Sequence, residues 1–199
     1  MVGFCWSWKM NNYDKVADWY DKNHLQLWEK KKPYMQEILN NLKSLSHILD
    51  LGCGTGEPIA KFFIENGCYV TGVDSSVRMI EKCRSRFPKT EWILADISSL
   101  SLARTFDVII YWDSFFHLTH EEQRSVFDIL AKHMNHNGLL LFNSGRVYGE
   151  ITSEWAGESF YHASLNKEEY QKLLEYSGFD VLKADDDTED EMTVWFAKL

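Results

Sequence analysis

The chain has 199 residues, 45% of them apolar and 26% charged, and 30 acidic side chains against 21 Lys and Arg leave a formal net charge of −9. That length suits one domain, alone or with an appended lid, and the composition excludes disordered, collagen-like and low-complexity architectures. The acid excess argues against a partner held through its phosphates, so neither nucleic acid nor a membrane surface is an expected partner.

Four of the eight tryptophans, Trp6, Trp8, Trp19 and Trp28, fall in the first 30 residues. They read either as ordinary core or as one wall of a pocket for a flat or cationic ligand. Val16, Trp19, Tyr20, Asn23 and Leu27 recur at helical spacing over residues 14–28, and a second helix is predicted to open at Pro33 and run through Ile38, Leu39 and Leu42. From His47 the period changes. Residues 47–51, 69–74, 92–96, 106–111 and 138–142 are short, largely apolar runs, the mark of strands buried on both faces of a parallel sheet. Helices alternate with them: residues 57–66, stopped by Gly67; a stretch marked by Val77, Ile80, Cys83, Arg84 and Phe87; and one opened by a Thr119 and Glu122 capping box and continuing to Met134. Residues 143–163 have weak periodicity and are predicted as a lid loop.

Asn166 with Glu169 opens a last helix that ends at Gly178. Two terminal strands follow, at 179–182 and 192–197, and the acidic run between them is too short for a crossover, so they should pair antiparallel. Residues 150–199 hold 13 acidic and four basic side chains, the whole imbalance of the chain, and residues 185–191 are expected as a solvated turn. The predicted fold is α/β: a doubly wound, mostly parallel seven-stranded sheet with helices on both faces and a C-terminal antiparallel hairpin, one domain over residues 1–199 with an N-terminal helical cap at 1–45. Cys5, Cys53, Cys68 and Cys83 contain no CxxC pair and suit reduced thiols of a cytoplasmic protein. Neither an apolar run of about 18 residues nor a signal-peptide pattern is present.

The strongest motif is Asp50-Leu51-Gly52-Cys53-Gly54-Thr55-Gly56, where a strand turns into a helix. Glycines there let the backbone take positive φ and let a ligand approach closely. The dinucleotide fingerprint G-x-G-x-x-G fails, because Glu57 stands at its third glycine, and Glu57-Pro58 makes a poor cradle for a pyrophosphate. The loop therefore suits a ligand without phosphate. Asp74 and Asp96 end the second and third strands. A carboxylate at the first of these places can accept from both hydroxyls of a ribose, and either residue could instead cap the turn that follows it.

The segments ILDLGCGTGEPIAKFFIENGCYVTGVDSS, WILADI, FDVIIYWDSFFHL and NHNGLLLFNSG resemble the successive motifs of the class I S-adenosylmethionine-dependent methyltransferases, over about residues 12–199. The resemblance implies a Rossmann-like methyltransferase fold with S-adenosylmethionine as cofactor and S-adenosylhomocysteine as product. It implies that Gly52, Gly54 and Gly56 lie under the methionine moiety, with Cys53 inside the same loop and Asp50 supporting it. Asp74 would hold the ribose hydroxyls, Ser75 and Met79 would flank the adenine, and Asp96 would accept from the adenine amino group beside Ile97. Trp112 and Asp113 would stand where cofactor and substrate meet, and Tyr13 and Tyr20 would close over the methionine end.

An activated methyl needs mainly in-line approach of a nucleophile, and a protonated nucleophile gains from a general base. Asp113, His117, Tyr148 and His162 are the candidates, although His117 could also be structural beneath Phe115 and Phe116. The i, i+3 pairs His117/His120 and His133/His136 lack a third ligand, so no metal is expected, and Cys53 lacks an adjacent base. The expected function is methyl transfer to a small molecule by a monomer or homodimer. A non-catalytic module binding the same cofactor, and a protein or RNA methyltransferase, are the alternatives.

Overall fold

The computed structural model describes residues 11–42, 45–187 and 191–199. Cys5, Trp6 and Trp8, and part of the acidic run, Thr188 to Asp190, lie outside the described residues. A seven-stranded sheet runs in the order β3-β2-β1-β4-β5-β9-β8. Its strands are β1 (His47–Leu51), β2 (Tyr69–Asp74), β3 (Glu91–Leu94), β4 (Phe106–Tyr111), β5 (Met134–Gly145), β8 (Asp180–Asp187) and β9 (Met192–Lys198). The first five are parallel; β9 pairs antiparallel with both β5 and β8, which is the expected C-terminal hairpin.

The apolar runs are explained by two cores, one on each face. In β4, Ile109 and Tyr111 join one cluster and Val108, Ile110 and Trp112 the other. The helices α5 (His120–Lys132) and α6 (Lys167–Tyr176) cover the first face through Phe127, Leu130, Tyr170 and Leu174. On the second face lie α2 (Trp28–Asn40), α3 (Ile59–Glu65) and α4 (Val77–Arg86), through Ile38, Phe63 and Ile80. From β1 the chain winds outward through β2 and β3, then returns to place β4 on the other side of β1. That reversal opens a crevice at the carboxyl ends of β1 and β4, where open α/β sheets bind ligands.

Two expectations are corrected. The second helix begins at Trp28, not Pro33, so Pro33 lies inside α2. Packing of Trp28 on Phe62 and of Lys31 on Asp113 holds the extra first turns, against the missing proline N–H. Residues 143–163 are not a loop: β5 extends to Gly145, and β6 (Gly149–Trp155) pairs with β7 (Glu158–Ser164) as an antiparallel hairpin. Its two-residue turn, Ala156-Gly157, has φ of 51° and 82°, the left-handed pair that a tight hairpin requires. β6 is largely exposed on both faces, so no hydrophobic alternation marks it.

The cap helix α1 (Asn12–Asn23) docks on α4. Asp14, buried, accepts from Ser76 Oγ at 2.6 Å and from the Arg78 N–H at 3.1 Å. Asp18 and Asp21 continue the contact to Arg78, Lys82 and Arg86. Among the described residues no helix is long and apolar enough to cross a membrane.

Candidate active site

A cleft of about 380 Å³ lies at the crevice, floored by the glycine loop and roofed by α1 and β7. The loop is built by its backbone. The N–H groups of Gly52 and Cys53 both donate to Val73 O, at 2.8 and 3.0 Å, and the Gly54 N–H donates to Asp74 Oδ2 at 2.9 Å. Gly52 has φ of +69°, and a Cβ there would stand 2.2 Å from Ser114 Oγ, so only glycine fits. Gly54 leaves open the space below the Tyr20 ring, which a Cβ would touch at 3.4 Å.

Acids dominate the electrostatics. Asp74 accepts from the N–H groups of Gly54 and Ser76 and keeps further lone pairs toward the cleft; burial nevertheless pushes its carboxyl up to about 6. Asp50 is 3% exposed, and burial reinforced by the Asp74 charge pushes it up to about 7. Among the described residues no basic side chain pairs with Asp50 or Asp74, and of the two Asp74 lines the cleft.

Asp96 caps the short turn Ile97–Ser99, accepting at Oδ1 from the Ser98 N–H (2.9 Å) and hydroxyl (2.7 Å), and still lines the cleft with Ile97, Met79 and Ser75. Asp96 thus caps the turn and borders the cleft at once.

The roof carries a hydrogen-bonded Tyr13–His117 pair. His117 Nδ1 lies 2.8 Å from Tyr161 O, and a carbonyl only accepts, so Nδ1 bears the hydrogen. Nε2 is then the acceptor for the Tyr13 hydroxyl, at 2.6 Å. Burial lowers the His117 imidazole to about 4 and raises the Tyr13 phenol, so the pair is neutral at neutral pH. Tyr13 also packs on Phe160, 4.9 Å between ring centres, and Phe160 stacks on Trp155.

Asp113 lines the cleft but is already engaged. Asn143 Nδ2 donates to its Oδ1 at 2.7 Å, its own N–H donates to Asn143 Oδ1 at 2.8 Å, and Lys31 forms a close ion pair with Oδ2. These partners engage both carboxylate oxygens and hold a residue with φ of +51° in place.

Other expected residues fall outside the cleft. Strand alternation turns Trp112 into the second core, its ring 5.3 Å from that of Tyr34. Tyr148 is 54% exposed and stacks on His120, and His162 lies behind His117 with ring centres 4.7 Å apart. Cys53 and Gly56 pack beneath the loop, Cys53 buried and Gly56 against Phe87, Trp92 and Cys83. Among the described residues no group of His, Cys, Asp or Glu forms a metal site.

Several lining residues were not foreseen: Asn11, Asn12, Ser114, Phe160 and Tyr161, with Lys31 behind Asp113. Only Asn11 leaves a signal, the Asn11 and Asp14 capping box that starts α1. Its side chain also donates to Ser75 Oγ at 2.7 Å, and Asn12 donates to Ser159 O at 2.8 Å, which ties α1 to both walls.

Comparison with known proteins gives concordant results. Residues 48–138 match the family model described as a methyltransferase domain. An uncharacterized methyltransferase of Alkaliphilus oremlandii is 25% identical over 177 residues, covering 88% of this chain and 77% of that protein. The crystal structure of an S-adenosylmethionine-dependent methyltransferase from Clostridium acetobutylicum aligns with a TM-score of 0.76 at 20% identity, covering 95% of this chain and 99% of the other. A DhpI–SAH complex aligns with a TM-score of 0.75 at 16% identity over 96% and 94% of the two chains. These two structural likenesses bear on the fold.

Proposed function

We propose that the chain acts as a class I S-adenosylmethionine-dependent methyltransferase on a small-molecule nucleophile, with Tyr13 and His117 taking up the proton released. The convergence of the glycine loop, Asp74 and the Tyr13–His117 pair on one cleft carries this reading. The residues present fit the cofactor: glycines leave room that a Cβ would fill, and Asp74 lines the cleft with acceptor capacity to spare. When bound, S-adenosylmethionine supplies a methyl group on a cationic sulfur, already activated for displacement.

In this reading Gly52 and Gly54 give backbone contact to the methionine end, Asp74 accepts from the ribose hydroxyls, and Met79, Asp96 and Ile97 surround the adenine. Tyr20 and Asp113 border the positively charged end. The Tyr161 carbonyl fixes the His117 tautomer, so Nε2 always presents a lone pair to Tyr13. As the acceptor nucleophile sheds its proton, the Tyr13 oxygen takes it while the phenol hydrogen passes to Nε2, leaving Tyr13 neutral and His117 an imidazolium. Both groups are half-buried in the roof beside Phe160, which limits the access of water to the proton path.

The modest size of the cleft and the net acidic charge support a small acceptor over a protein or an RNA. Incubating the protein with methyl-labelled S-adenosylmethionine and a metabolite extract, then separating products by mass, tests this. Label should accumulate in the low-mass fraction; label confined to macromolecules would reject the small acceptor, and none despite cofactor binding would favour a non-catalytic module.

A further inference from the structure

The cleft is the size of one drug-sized ligand, which the cofactor alone would occupy. A methyl acceptor therefore needs adjoining space. Behind Asp113 lies a second hollow of about 150 Å³, and Asp113 lines both, so the two spaces share one wall. Tyr34, Trp112, Met192 and Val194 supply its apolar surface.

Two buried donors in its wall lack full use. The indole N–H of Trp112, a residue 7% exposed, has no hydrogen-bond partner. Leaving such a group unpaired in the interior is destabilising, and an acceptor atom of a ligand can relieve that cost. Lys31 is 9% exposed, and its ammonium has Asp113 as its described partner, leaving two of three N–H donors for a ligand. Lys30 lines the same hollow. Asp113 and Asp187 also line it, so an anion is admitted only where Lys31 and the indole N–H receive it.

We propose that this hollow binds the carboxylate end of the methyl acceptor, with Lys31 and Trp112 as specificity-determining residues that aim the rest of the molecule past Asp113 toward the cleft. The inference rests on the methyltransferase reading, and names the acceptor class as a small carboxylic acid with an apolar stem.

Benzoate is a suitable probe, with benzylammonium as its cationic counterpart, each followed by saturation-transfer NMR on protein saturated with S-adenosylhomocysteine. Benzoate should bind and benzylammonium should not. Lys31→Gln should weaken benzoate about tenfold or more, as expected for loss of a charged donor. Trp112→Phe, which keeps an aromatic side chain but removes the N–H together with the five-membered ring, should weaken it roughly fivefold while S-adenosylhomocysteine affinity stays within about twofold. Equal benzoate binding by wild type and Trp112→Phe, or preference for benzylammonium, would overturn the assignment. Absence of benzoate binding to wild-type protein that still binds S-adenosylhomocysteine sinks this inference alone; failure of wild type to bind S-adenosylhomocysteine sinks the reading beneath it.

Discussion

Asp50 carries a cost that the folded protein without cofactor must bear. Its carboxyl ionises near 3.8 ordinarily and at about 7 when folded. The group is therefore neutral in the native state and charged in the unfolded state between those values, so stability falls as pH rises from about 4 to 7 and is level above. Between pH 5 and 8 the loss is on the order of 2–3 kcal/mol. Asp50→Asn removes the titration, so its melting temperature relative to wild type should rise by several degrees between pH 5 and pH 8, measured by thermal unfolding without cofactor. A constant difference across that range would mean that Asp50 ionises normally. Tyr13 and His117 make a second residue-scale prediction. Tyr13→Phe and His117→Ala should each lower turnover by about 10²-fold with cofactor affinity little changed. At saturating cofactor the wild-type rate should hold through pH 6.5 and fall only below about pH 5, because His117 titrates at about 4. A reversed pattern, with affinity lost and turnover kept, would make the pair part of the cofactor pocket.

Among the elements, the glycine loop is the least forgiving. Gly52→Ala must push Ser114 aside in a backbone conformation that favours glycine, and should weaken cofactor binding more than 100-fold and lower the melting temperature. Gly149→Ala, whose Cβ would meet nothing within 4 Å, is the control and should change neither quantity. The β6–β7 hairpin is held on α1 by Asn12 and by the Lys15–Glu158 ion pair, a half-exposed pair that contributes under about 1 kcal/mol. The five parallel strands were legible because burial on both faces writes a continuous apolar run. The hairpin was not, since solvent reaches both faces of β6 and leaves Gly157 as its one turn signal. Pro33 misled because proline usually opens a helix, whereas here tertiary contacts of Trp28 and Lys31 extend α2 backward past it.

Across the whole molecule, the site is divided between what lies at strand ends and what the fold brings from afar. Gly52, Gly54, Asp74 and Asp96 could be placed from sequence because each follows a strand whose carboxyl end faces the crevice. Trp112 was misplaced by one residue of alternation, since neighbours along a strand face opposite sides. Tyr13 and His117 were each foreseen, but not their contact: 104 residues separate them, and their meeting depends on α1 docking through Asp14 at the start of α4. Lys31 carries no local signal of any kind. Everything else depends on the cleft accepting the cofactor at these residues. Calorimetric titration with S-adenosylmethionine, S-adenosylhomocysteine and NAD, on wild type and Asp74→Ala in parallel, measures that directly. The first two should bind and NAD should not, with Asp74→Ala weaker by about 1.5–3 kcal/mol. Absence of binding by folded, ligand-free wild type, or equal affinity in the variant, would contradict the site as described.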